Sequence, residues 1–203
     1  LHYVANNARL EDGQLLLIDA GAEWECFTGD ITRTFPISGR FTPAQRDLYA
    51  IVLAANEAGI REAKVGSTID AIHAVCLRTL CEGISALGLV DGSLDQILEE
   101  QRYLPYYMHR TSHWLGADVH DAGHYTLDRR PRPLAPGFVL TVEPGLYVAP
   151  DDPRAPPELR GCGIRIEDDV LIRDEGPEVL SAAVPKTPAE LEAMVGSDRS
   201  AWA

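Results

Sequence analysis

Asp19, Asp30, His113, Glu143 and Glu167 are the residues of this chain best placed to do chemistry. Asp19 ends the apolar run Leu15-Leu16-Leu17-Ile18 and precedes Ala20-Gly21, while Asp30 opens Asp30-Ile31-Thr32-Arg33-Thr34. His113 lies in Ser112-His113-Trp114-Leu115-Gly116. Glu143 follows Val139-Leu140-Thr141-Val142 and precedes Pro144-Gly145, and Glu167 ends Gly163-Ile164-Arg165-Ile166. Four carboxylates and one imidazole, mostly at strand ends, form a ligand set for a pair of divalent metals. Carboxylates can bridge two cations and lower their mutual repulsion, and such a pair makes hydroxide from water near neutral pH. No cysteine belongs to the set. Oxygen ligands with one nitrogen favour Mn(II), Co(II) or Zn(II) over Mg(II) or Fe(II).

Each of these residues also has a plainer reading. A single Asp after a strand is usually a turn or cap residue. Two within one hairpin, both beside glycine (Gly21, Gly29), are less ordinary, because glycine lets backbone come close to a metal cluster. His109, His113 and His120 fall within twelve positions of a chain with six histidines. His109 and His113 have the spacing of helical zinc motifs. However, Tyr106-Tyr107-Met108 before them and Gly116 after them read as extended or irregular chain. His113 is the metal candidate. His120 is the candidate to face substrate, where an imidazole can donate to a developing oxyanion. For Glu143 and Glu167 the plain reading is an edge-strand salt bridge between a carboxylate and Arg165, which shares the face of Glu167. Still, buried carboxylates at strand ends need a cation, and Arg165 can then orient a ligand from behind.

The positioning elements follow from the pattern. Residues 14 to 20, after the turn signal Glu11-Asp12-Gly13, read as a buried strand. Residues 30 to 37 alternate and read as its antiparallel partner, with the turn at Thr28-Gly29, so that Asp19 and Asp30 approach across the pair. Thr42-Pro43-Ala44-Gln45 is a capping box with proline at the first helical position; Leu48, Ile51, Val52, Ala55 and Ala58 then mark one helical face. Gly66-Ser67 separates this helix from a second, with Ile69, Ile72, Val75, Cys76, Leu80 and Ile84 on its apolar face. Ser93 caps a third, short helix. Residues 103 to 126, rich in aromatics, His and Gly, show no clean period and read as site-forming chain. Strands are expected at 138 to 143, 145 to 149, 162 to 167, 168 to 173 and 178 to 181, and Thr187-Pro188-Ala189-Glu190 opens a last helix. Strands, a block of helices, then strands again make an α+β domain.

Composition narrows the class. The chain of 203 residues is long enough for one domain with a sizeable core. Its net charge of −13 argues against an electrostatic grip on nucleic acid or anionic membrane, although most of the acidic residues must simply be solvated surface. Cys26, Cys76, Cys81 and Cys162 form no CxxC pair, which reads as a reduced, cytoplasmic chain. No apolar run approaches a membrane span. Neither a GxSxG elbow nor a Gly-rich phosphate loop is present. The start, Leu1-His2-Tyr3-Val4, is neither a signal peptide nor a methionine start and reads as chain entered in mid-domain.

The order Asp, Asp, His, Glu, Glu in these contexts resembles the metallopeptidases of the pita-bread fold, which include methionine aminopeptidase, prolidase and aminopeptidase P. Several stretches look most like the bacterial aminopeptidase P branch, the Xaa-Pro aminopeptidases: Leu17-Ile18-Asp19-Ala20-Gly21, Gly29-Asp30-Ile31-Thr32-Arg33-Thr34-Phe35-Pro36, Ser112-His113-Trp114-Leu115-Gly116, Asp118-Val119-His120-Asp121, Thr141-Val142-Glu143-Pro144-Gly145-Leu146-Tyr147 and Gly163-Ile164-Arg165-Ile166-Glu167-Asp168-Asp169. The resemblance covers nearly the whole chain. It implies a curved, mostly antiparallel sheet with helices on its outer face. It also implies that residues 1–203 are a single catalytic domain lacking the family's N-terminal domain and the first helix and strands of the catalytic unit. Further, it implies that Asp19 binds one metal through both oxygens, that Asp30 and Glu167 bridge two ions, and that His113 and Glu143 complete the other. The ions implied are Mn(II), with Co(II) or Zn(II) as alternatives. Glu143 is implied as the proton shuttle, Arg165 as a catalytic support behind the ligands, and His2 and His120 as residues touching substrate or its tetrahedral intermediate. His109 and Tyr147 match pocket residues.

The activity implied is hydrolysis between an N-terminal residue and a following proline by attack of a metal-bridging hydroxide. The implied partners are such peptides, with no nucleic acid or membrane, and the implied assembly is a homo-oligomer, dimer or tetramer. In the family a glycine usually follows the histidine equivalent to His109; here Arg110-Thr111 stand there. The nearest alternative is prolidase, which takes Xaa-Pro dipeptides and needs a group to grip their C-terminal carboxylate. Methionine aminopeptidase and a non-catalytic pita-bread binding protein are more distant, the latter because such modules have typically lost ligands. A structural calcium protein is disfavoured by His113 and by the lack of EF-hand spacing.

Overall fold

The computed structural model describes residues 3–196. Among these residues eleven short strands, four helices and a single turn of 3-10 helix at Pro157–Leu159 make an α+β fold, and every strand pair described is antiparallel. In chain order the strands are β1 (Leu15–Ala20), β2 (Glu23–Trp24), β3 (Phe27–Thr28), β4 (Ile31–Pro36), β5 (Thr126–Leu127), β6 (Arg130–Pro131), β7 (Val139–Val142), β8 (Gly145–Tyr147), β9 (Gly163–Arg165), β10 (Asp168–Arg173) and β11 (Gly176–Val179). The helices are α1 (Pro43–Glu62), α2 (Ile69–Ala86), α3 (Leu94–Glu99) and α4 (Pro188–Met194). None of the described helices is long and apolar enough to cross a membrane.

The helices start where the caps place them. Thr42, Ser93 and Thr187 each accept from the backbone N–H three residues on, and each capping box closes with the side chain of Gln45, Gln96 or Glu190. α1 and α2 pack on each other, and α1 lies against β7, β8, β9 and β11. The crossing is tight at Gly59, where a Cβ would sit 2.5 Å from Cys76 Sγ and 2.8 Å from Val142 Cγ1. Gly59→Ala is therefore expected to cost about 1–3 kcal/mol through overpacking, read as a lower thermal midpoint.

Four sequence expectations change. The strand at 14 to 20 is not buried: β1 is half-buried at Leu15–Leu17 and exposed from Ile18 onward, because among the described strands it has only β4 as a partner. The connection to β4 is not a simple turn at Thr28-Gly29. It holds a second hairpin, β2–β3, whose tip residues Glu25 and Cys26 both have positive φ (49° and 68°). Positive φ at both central positions is what a two-residue hairpin turn requires, and neither residue type signals it. The face of α1 is rotated from the expected one: Tyr49, Asn56 and Gly59 are buried, while Ile51 and Ala58 are only partly so. The last strand begins two residues early, at Gly176, because β10 and β11 close through Asp174-Glu175 with Gly176 at φ 126°.

One further difference positions the site. The strand expected at 162 to 167 stops at Arg165, and that expected at 138 to 143 stops at Val142. Val142 pairs with Asp168, and Gly145 pairs with Arg165. The same register runs through the gap between these two ladders, which sets Glu143 opposite Glu167 where the chain passes from one ladder to the other. Released from the ladder, both glutamates can turn toward a common point.

Candidate metal centre

Asp19, Asp30, His109, His113, His120, Glu143, Arg165 and Glu167 line one open pocket of about 550 Å³. Tyr147 stands one step back from it, and His2 lies outside the described residues. The β1–β4 register pairs Asp19 with Thr32, which places Asp19 and Asp30 diagonally on one face. Asp30 is held at the start of β4 by its own N–H, which donates to Asp169 Oδ2 at 3.1 Å. The Glu167 N–H donates to Thr32 O at 3.1 Å and the Glu143 N–H to Thr111 O at 2.7 Å.

His113 is oriented for a ligand. Its Nδ1 lies 3.0 Å from Trp114 O, a carbonyl that can only accept, so Nδ1 carries the proton. Nε2 is left facing Asp30 Oδ2 at 3.5 Å and Glu143 Oε1 at 3.7 Å. Ligand atoms of Asp30, His113 and Glu167 lie within 4.8 Å of one another. Asp19 is engaged differently: it accepts from Arg165 Nη2 at 2.5 Å. That is the ion pair between Arg165 and a carboxylate foreseen as the plain reading, with Asp19 as the carboxylate.

The electrostatics of the cluster call for cations. Burial pushes the Glu143 carboxyl up to about 7. Burial, with the charges of Glu143 and Asp30 added, raises Glu167 well above the usual carboxylate range. Burial also raises Asp19, helped by its contact with Asp30. For Asp30 burial acts the same way, but hydrogen bonds with His113 and Asp19 outweigh it and hold the carboxyl low. Four acidic groups share one buried guanidinium, Arg165, and one imidazole. Only divalent cations among common partners would let all four ionise together. The donor set, with His113 Nε2 aimed inward among the carboxylates, fits such ions.

The remaining residues form the wall. His109 Nδ1 lies 2.8 Å from Arg110 O, and its Nε2 meets Tyr147 Oη at 2.9 Å. Burial lowers its pKa to about 4, so it is neutral. Arg165 Nη1 donates to the same Tyr147 hydroxyl at 2.9 Å. His120 is exposed, and its ring meets the His113 ring edge-on at 4.5 Å. Arg110 lines the pocket mouth and pairs with Asp70.

Two residues that brace the carboxylates from behind were not foreseen. Thr32 Oγ1 donates to Glu167 Oε2 at 2.6 Å and lies 3.3 Å from Arg165 Nε, inside a fully buried environment. Asp169 supports Asp30 and is itself raised to about 6, mainly by burial. The signal for Thr32 was available: it alternates on β4 with Asp30. For Asp169 the signal was weak, since an acidic pair after Glu167 reads equally as surface.

A carboxylate-floored pocket with one free imidazole nitrogen, at the strand ends of a helix-backed antiparallel sheet, has the donor set of a metal-dependent hydrolase. The chain belongs to metallopeptidase family M24, whose family model matches residues 1–174. It is 48% identical over 199 residues to the Xaa-Pro aminopeptidase of Escherichia coli (strain K12), covering 98% of this chain and 45% of that protein. The Xaa-Pro aminopeptidase of Haemophilus influenzae is 44% identical over 192 residues, covering 95% of this chain and 44% of that one. Among solved structures, an aminopeptidase of Pseudomonas aeruginosa superposes with a TM-score of 0.95 at 46% identity, covering 98% of this chain and 45% of that one. A zinc-substituted E. coli aminopeptidase P in complex with product gives 0.92 at 48% identity, covering 96% and 44%. The pita-bread fold expected from the motifs is the fold of these neighbours. The chain spans less than half the length of the relatives named here.

Proposed function

We propose that this protein is a dinuclear-metal aminopeptidase that hydrolyses the bond between an N-terminal residue and a following proline. On this reading residues 1–203 form one metallopeptidase catalytic domain. The observation that carries it is His113 Nε2, left outside the Nδ1–Trp114 bond and directed at Asp30 and Glu143 in the pocket that the buried Glu167 also lines. The names of the relatives support the proline-directed substrate class. Asp19, Asp30, His113, Glu143 and Glu167 would hold two divalent ions, Mn(II) first, with Co(II) or Zn(II) as alternatives. When bound, such ions supply an activated water and polarise the scissile carbonyl.

The side chains do the rest. Glu143 takes the proton of the attacking water on its carboxyl and passes it to the proline nitrogen. An amide anion is a very poor leaving group, so this transfer is required. His120, exposed beside His113, donates to the developing oxyanion. Arg165 fixes Asp19 and Tyr147, and Tyr147 with neutral His109 forms a wall for the substrate. His2 would complete the substrate contacts. A cytoplasmic homo-oligomer belongs to this reading through the resemblance.

The test sets an Xaa-Pro-Yaa tripeptide beside an Xaa-Pro dipeptide with Mn(II)-loaded protein. Tripeptide cleavage is expected; cleavage of neither peptide contradicts the reading. One observation favours prolidase as a second reading: the Arg110 guanidinium at the pocket mouth has only an exposed partner, Asp70, and could grip a dipeptide carboxylate. Arg110→Ala separates the two. The aminopeptidase reading expects kcat/KM on the tripeptide to stay within about threefold, as for an ordinary surface change. A prolidase would lose about tenfold or more on the dipeptide, the scale of a lost charged hydrogen bond.

A further inference from the structure

Behind the pocket lies a buried polar network that none of the proposed chemistry uses. Arg33, only 3% exposed, pairs with the fully buried Asp168 at 2.8 Å. Lys186 Nζ donates to the other Asp168 oxygen at 2.8 Å and to Asn56 Oδ1 at 3.0 Å. Ser181 Oγ adds a bond to Asp168 at 2.7 Å. Burying a guanidinium and a carboxylate beside a part-buried ammonium is costly unless every donor is used: Arg33 Nε donates to Pro185 O at 2.9 Å and Nη2 also to Val184 O at 3.1 Å, while its Nη1 and the Asn56 amide end on carbonyls next to the site. Arg33 Nη1 donates to Thr32 O at 2.9 Å and to Glu167 O at 2.6 Å. Asn56 Nδ2 donates to Val142 O at 3.0 Å, with a longer contact of 3.5 Å to Ile166 O.

These carbonyls are not scattered. Val142 and Ile166 immediately precede Glu143 and Glu167, and Thr32 is the residue whose hydroxyl bonds Glu167. Between the two ladders the Glu143 and Glu167 N–H groups turn to Thr111 O and Thr32 O instead of to each other's strand, and the side-chain donors add a second hold on the same stretch of backbone. We infer that Arg33 and Asn56, joined through Asp168 and Lys186, are positioning residues that fix the separation and direction of Glu143 and Glu167 from behind the sheet. This rests on the reading of the two glutamates as metal ligands. Arg33 does it with a fork that lysine cannot reproduce, because Nη1 reaches the Thr32 and Glu167 carbonyls while Nη2 holds Asp168 and Val184 O and Nε holds Pro185 O. Asn56 does it as the one side-chain amide of α1 that reaches both sides of the strand crossing.

The test uses Arg33→Lys and Asn56→Ala in the full chain, with Ile84→Val as a core control distant from these carbonyls. Two readouts are independent of turnover: Mn(II) titration by calorimetry, and the ion–ion coupling of the loaded protein by electron paramagnetic resonance. The expected result is that at least one of the two variants binds Mn(II) tenfold or more weakly, or shows altered coupling, while Ile84→Val only lowers the thermal midpoint. If both variants bind with wild-type affinity and coupling, the network is merely structural and the inference is overturned. If Arg33→Lys does not fold, Asn56→Ala decides alone. A wild type that takes up no Mn(II) overturns the proposed function first, and this inference with it.

Discussion

Glu143→Ala is expected to lower kcat by about three orders of magnitude with the fold kept, since on the proposed function it removes both a metal ligand and the group that moves the proton. The fold should survive because the backbone bond from the Glu143 N–H to Thr111 O does not involve the side chain. The carboxyl that is lost was also one that burial makes reluctant to ionise. Glu143→Gln should be nearly as inactive, because an amide neither accepts the proton nor carries charge. Asp30→Ala should fail as well, through loss of metal, although its N–H would still find Asp169. Steady-state kinetics beside circular dichroism checks this. Wild-type turnover in both Glu143→Ala and Asp30→Ala would remove the site from these residues.

The second large effect is on stability when metal is taken away. In chelated protein, Glu143 titrates near 7 in the fold, against an ordinary value of 4.5. A carboxyl raised by folding contributes stability that is present at low pH and lost as pH rises through the folded value. The rise from 4.5 to about 7 corresponds to roughly 3 kcal/mol for this one group. Glu167 and Asp169, also raised, act in the same direction, and so does His113, whose pKa rises because Asp30, the Trp114 carbonyl and Glu143 outweigh its burial. Metal-free protein should therefore lose stability between about pH 4.5 and pH 7, and added Mn(II) should restore most of it at the upper end. Denaturant midpoints across that range, with and without Mn(II), measure both. A metal-free midpoint that climbs toward pH 7 would contradict the electrostatic account.

The five proposed ligand residues, which the fold brings to one pocket, stood out in the sequence because each sits beside clear strand or glycine context. Asp19 closes an apolar run, and Glu143 and Glu167 end hydrophobic stretches that period-two patterning marks as strands. The helix starts at Thr42, Ser93 and Thr187 were equally legible, since a capping box is local chemistry. What could not be read is tertiary. Glu143 and Glu167 look like strand residues, yet both lie in an interruption that exists only because two ladders cross. Thr32 and Asn56 look like ordinary polar residues of a strand and a helix until the fold buries them against particular carbonyls. Glu25-Cys26 gives no turn signal, and only the β2–β3 pairing forces their positive φ. Arg165 was expected to pair with a carboxylate, and only the fold shows that the partner, Asp19, comes from another strand.

The most direct test of the central claim is a metal count tied to position. A crystal of the Mn(II)-soaked protein, with anomalous scattering recorded at the manganese edge, gives both number and ligands. The account predicts two peaks within the pocket, contacted by Asp19, Asp30, His113, Glu143 and Glu167, with Arg165 released from or sharing Asp19. An absence of peaks there, in crystals where Mn(II) is bound elsewhere or not at all, would contradict it.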